Sequence, residues 1–137
     1  VNFNISTLIV IIVIAVVILV LINLIVRPNA PGIDKEHFKN EWKDILQLAT
    51  DKKSRPLSIV HGDKLLDLAL KQSGYAGNTM AERLVSAKKN ITNKEGVWQA
   101  HKLRNKIVHE TAFEPTEGQV KQALNAYHKA FKDLGVW

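Results

Sequence analysis

Residues 5–26 read ISTLIVIIVIAVVILVLINLIV, and they constrain the chain more than any other stretch. They hold no charged side chain, and eighteen of the twenty-two are Ile, Leu or Val. As a helix rising ~1.5 Å per residue they would span about 33 Å, against a hydrocarbon core of about 30 Å. Each large aliphatic favours insertion by roughly 0.3 to 0.6 kcal/mol at the helix centre, so the run sums to at most about 5 to 11 kcal/mol. Asn23 does not offset that. The abundance of Ile and Val is no obstacle, because a backbone in lipid can satisfy its polar groups only within its own helix. A cleaved signal peptide would need a basic segment before a shorter apolar run, with small residues at the cut. No Lys or Arg precedes this run, and RPNAPG after it matches poorly. The reading is a retained anchor, residues 1–27, embedded in a lipid bilayer through residues 5–26.

Charge on the flanks sets the expected orientation. Arg27, Lys35, Lys39 and Lys43 follow the run. Basic residues stay on the cytoplasmic side, so the expectation is a single-pass membrane protein with its C-terminal domain in the cytoplasm. Residues 28–33 carry two prolines and a glycine and form a linker. Residues 34–137 are then one domain. Beyond Arg27 there are eighteen basic and thirteen acidic side chains, a net +5. That balance suits an anionic lipid surface or RNA without demanding either. There is no cysteine, which excludes disulfides, thiolate catalysis and zinc-thiolate sites.

Helix signals recur through this domain and strand signals do not. Asp34 caps a helix to about Thr50 with Phe38, Trp42, Ile45 and Ala49 as its apolar stripe. Pro56 suits the first turn of a second helix, with Gly74 just past its end. That helix is apolar around most of its circumference and should be central. Capping boxes at Thr79/Glu82, Thr92/Glu95 and Thr116/Gln119 open three more. The last carries Val120, Leu124, Tyr127, Phe131 and Leu134 on one stripe and stops at Gly135. The fold class is all-α: one transmembrane helix, then a bundle of four longer helices and one short one.

The stretch LRNKIVHETAF, residues 103–113, disturbs this pattern. On a helical wheel of about 100° per residue, Val97, Ala100, Leu103, Ile107, Val108 and Ala112 share one arc. Lys102, Lys106, Gln99 and Glu110 lie opposite. Arg104, Asn105 and His101 nevertheless fall inside the apolar arc, and His109 stands at its border beside Trp98. A buried guanidinium without a partner would cost several kcal/mol. Arg104 therefore needs a carboxylate, a wet cleft or a second subunit. Asp67 or Asp63 is the best partner for a structural ion pair, although both share a stripe with Lys64 and Lys71 that would equally serve as a solvated edge. His101 reads as a core or interface histidine, and Trp98 as a packing residue.

RNKIVH, residues 104–109, resembles the R-polar-x-x-x-H signature of HEPN domains, small helical bundles that carry it on a late helix. The resemblance covers most of residues 34–137 and none of the anchor. It implies a metal-independent endoribonuclease acting as a homodimer, with the motifs of two protomers lining a shared cleft. His109 would be the acid/base at the 2′-OH or the leaving 5′-oxygen, since a free imidazole titrates near ~6.5. Arg104 would hold the scissile phosphate, and Asn105 would orient the histidine or the phosphate. Lys102 and Lys106 would steer RNA, unless they are simply a solvated face. One HEPN toxin branch extends the motif as R-x-x-x-x-H-x-Y; here the last position is Thr111, so that branch is unsupported. Many HEPN-like domains are binding modules instead, which makes a non-catalytic, membrane-anchored dimerisation or partner-binding module the alternative. No two of the five histidines stand three or four apart, and no phosphate-binding loop or G-x-S-x-G is present. No metal site and no cofactor are expected.

Overall fold

The computed structural model describes residues 4–25 and 32–137. Among them are six helices and no strand: α1 (Ile5–Ile25), α2 (Lys35–Thr50), α3 (Arg55–Gln72), α4 (Met80–Ser86), α5 (Lys94–His109) and α6 (Glu117–Asp133). The chain divides into two compact units, Val1–Pro31 and Gly32–Trp137. In the first, α1 is long and apolar enough to cross a membrane. Its Ile5–Ile22 window has a mean hydropathy of 3.6, and none of it is buried within the protein. Most of the expected linker, residues 28–31, lies outside the described residues; Gly32 and Ile33 are non-helical.

The second unit is built around α3, which packs against α2, α4, α5 and α6. This central place follows from its sequence: Ile59, Leu65, Leu66, Ala69 and Leu70 are all buried. Phe38, Trp42 and Ile45 of α2 and Val120, Ala123, Leu124, Tyr127, Ala130 and Phe131 of α6 close the core around it. At one end, Phe131 packs 4.8 Å from the Trp137 ring and 5.4 Å from Trp42, and His128 lies 5.4 Å from Trp137.

Helix ends follow local chemistry. Asp34 accepts from the His37 amide, and Thr116 and Gln119 form a full reciprocal capping box. Thr79 accepts from the Glu82 amide, but Glu82 reaches back to the Asn78 amide instead of Thr79, so that box is only half made. Residues Gly74 (φ 84°) and Gly135 (φ 71°) end α3 and α6 in the left-handed region. In both cases the next residue's amide bonds back to the third-last helical carbonyl, Tyr75 to Leu70 and Val136 to Phe131.

Two expectations need correction. Asn93, not Thr92, caps α5 by accepting from the Gly96 amide. Thr92 turns its hydroxyl and amide to Asp133 of α6, at 2.9 and 2.8 Å. And α5 ends at His109: Glu110 is extended (φ −106°, ψ 111°), so Ala112 is exposed in the following turn and not on the apolar arc. Val108 is likewise exposed.

Candidate functional site

The polar residues in the α5 arc meet a single carboxylate. Asp63 sits mid-helix in α3 and is only 4% exposed. The residue before it, Gly62, is what lets α6 come close. A Cβ at Gly62 would lie 2.8 Å from the Tyr127 ring, so only glycine gives that ring its place against α3. The Tyr127 hydroxyl then donates to Asp63 Oδ1 at 3.3 Å. From α5, His101 Nδ1 lies 2.9 Å from the same oxygen, and Arg104 Nε lies 3.8 Å from Oδ2. Three helices thus converge on one buried anion, and a buried charge needs such partners.

The remaining bonds stay within α5. Arg104 Nη1 donates to Asn105 Oδ1 at 2.9 Å, and Asn105 Nδ2 is 3.4 Å from His101 Nε2. The Trp98 ring lies tilted against the His101 ring, 6.0 Å between centroids. His101 and Arg104 are half-buried, and together with Asp63, Asn105, Lys64 and Thr79 they line an open groove of about 410 Å³ between α3, α4 and α5. Burial, and after it the Asp63 charge, pushes the Tyr127 hydroxyl well above the ordinary tyrosine range. It stays protonated and acts as a donor.

Asp67 does not serve Arg104. Its carboxylate lies 3.1 Å from Nε of the buried Arg83, whose Nη1 donates to the Gly77 carbonyl at 2.6 Å. That pair fastens α4 and the loop before it to α3. Lys102 and Lys106 are exposed and belong to a different groove, about 730 Å³, between α5 and α6. Lys106 stands 5.8 Å over the Phe113 ring. His109 is exposed at the last position of α5 and lines neither groove.

Of the residues singled out from sequence, Arg104, Asn105 and Asp63 come together. His109, Lys102 and Lys106 lie elsewhere, and Asp67 lines the same groove but pairs with Arg83. Sequence reasoning missed His101, Tyr127 and Arg83 as members of polar clusters. The wheel did flag His101 in the apolar arc. Gly62 followed by Asp63 in a helix apolar on most sides was the only trace of the Tyr127 contact. No group of three His, Asp or Glu side chains converges as a cation site among the described residues. No family model, curated protein or solved structure matches the chain.

Proposed function

We propose that this chain is a single-pass membrane protein whose helical unit is a HEPN-like, metal-independent ribonuclease working as a homodimer on the cytoplasmic side. One observation carries the reading. Arg104, at 3.8 Å from Asp63, is held beside the carboxylate without being consumed by it, and its guanidinium lines an open groove next to an imidazole and an amide. Such a fork suits a phosphodiester, whose charge grows as the bond breaks. Asn105 braces the fork. His109, exposed at the end of α5, is free to serve a groove shared with a second copy. The anchor α1 supplies the tether, and the Lys102 and Lys106 groove supplies positive charge close to the motif helix.

The test uses the full chain in lipid nanodiscs with end-labelled RNA and EDTA present. The wild type should leave 2′,3′-cyclic phosphate ends. Arg104→Ala and His109→Ala should each lower the rate by at least about 10²-fold, while both variants keep their helical circular dichroism. Intact RNA with the dimeric wild type would sink the reading.

A second reading has its own support. Asp63 is met by His101, Arg104 and Tyr127 within one protomer, which is what a structural lock in a non-catalytic partner-binding module would look like. Under that reading Arg104→Ala lowers the melting temperature or breaks the dimer, and no RNA turnover exists to lose.

A further inference from the structure

We infer that His101 is the proton acceptor of this site, held in its working tautomer by Asp63. The inference rests on the ribonuclease reading and divides the labour within it. His101 takes the proton from the 2′-OH, and His109 is left to serve the leaving group.

The hydrogen bonds fix the tautomer in a closed sequence. A guanidinium can only donate, so the Asn105 atom 2.9 Å from Arg104 Nη1 is the carbonyl oxygen. The amide nitrogen of Asn105 is then the atom facing His101 Nε2, and it too can only donate. Nε2 must therefore accept. The proton of the neutral ring sits on Nδ1, where Asp63 receives it at 2.9 Å. Two independent neighbours impose the same assignment. A carboxylate on one ring nitrogen, with the lone pair on the other, is the arrangement by which histidine bases are oriented and their protonated form is stabilised.

The placement fits the task. At 3.4 Å the Asn105 contact to Nε2 is long for a hydrogen bond, so an incoming hydroxyl can displace it. Arg104 follows His101 by three residues and lies one turn away on the same side of α5. A phosphate on Arg104 brings its neighbouring ribose to Nε2. The Trp98 ring lies tilted against that of His101, 6.0 Å between centroids. His109, by contrast, is outside the groove.

In the step itself the 2′-oxygen gives its proton to Nε2 and forms a bond to phosphorus. The P–O5′ bond breaks, and the 5′-oxygen takes a proton from the protonated His109 of the second copy, across the shared groove. The products are a 2′,3′-cyclic phosphate and a 5′-hydroxyl; His101 then returns its proton to solvent and His109 takes one back.

The test compares His101→Gln with His109→Gln in the nanodisc-bound full chain, on two RNA substrates. One has an ordinary linkage; in the other, sulfur replaces the bridging 5′-oxygen and leaves without needing a proton. On the ordinary linkage each variant should be slower by roughly 10² to 10⁴-fold. On the sulfur linkage His109→Gln should recover to near the wild-type rate, and His101→Gln should stay slow. Activity of His101→Gln within twofold of wild type, or its rescue by sulfur, overturns the inference while the ribonuclease reading stands. A wild type that leaves both RNAs intact ends both, and is told apart because no variant is involved. Should His101→Gln melt early, the wild type itself decides. Long-range ¹H–¹⁵N correlation should place the neutral-ring proton of His101 on Nδ1, and finding it on Nε2 overturns the inference.

Discussion

Among the described residues, Asp63 is the one carboxyl group on which side chains of α5 and α6 meet α3. Its Oδ1 accepts from Tyr127 and faces His101 Nδ1, and its Oδ2 faces Arg104. Each contact alone is modest, on the order of 1 kcal/mol net. Together they give a carboxyl group buried in a helical core its polar partners. Tyr127 reports on this directly. An unfolded tyrosine ionises near its ordinary value of 10.0, whereas in the folded protein burial, followed by the Asp63 charge, keeps the proton on to higher pH. The folded state binds that proton more tightly. The stabilisation is therefore fully present below pH 10 and is lost as pH rises beyond it. Thermal melts between pH 9 and about 11.5 should show a steeper loss for the wild type than for Tyr127→Phe. Parallel curves would mean that the hydroxyl has another way to ionise in place.

At the scale of elements, the approach of α6 to α3 depends on one missing side chain. Replacing a helical glycine by alanine normally stabilises by up to about 1 kcal/mol. At Gly62 the new Cβ would meet the Tyr127 ring at 2.8 and 3.0 Å. Overpacking of this kind costs about 1 to 3 kcal/mol. Gly62→Ala should accordingly lower the denaturation midpoint despite its better helix propensity, and an unchanged or higher midpoint would show that the ring has room to move.

Local chemistry made most of the elements readable. The cap at Asp34, the reciprocal box at Thr116 and the stops at Gly74 and Gly135 all depend on residues within a few positions of one another. The misread start of α5 is instructive. Thr92 has the right residue type for a cap, but its hydroxyl and amide go to Asp133, forty-one residues away, and Asn93 takes its place. The site was half legible for the same reason. The wheel could say that His101, Arg104 and Asn105 face inward. It had no means of saying that Asp63, thirty-eight residues before His101, waits there while Asp67 one turn on goes to Arg83.

At the scale of the whole molecule, α1 and the helical unit make separate claims. The first concerns lipid and orientation, and the absence of cysteine makes it simple to test. Lys88 is exposed beyond α4, so Lys88→Cys places a single thiol on the helical unit. In intact cells an impermeant maleimide should fail to label it, and permeabilisation should expose it, if basic flanking residues orient α1 as expected. Labelling of intact cells would place the helical unit outside.

The three tryptophans, introduced above as packing groups, divide between two regions. Trp42 and Trp137 share the aromatic cluster with Phe131 at one end of the core, whereas Trp98 stands against His101 at the edge of the groove. The protein therefore carries two built-in optical channels. Emission from the first pair follows the integrity of the fold, and emission from Trp98 follows what happens to the imidazole beside it. With Trp98→Phe as the blank, the two signals separate without any attached dye.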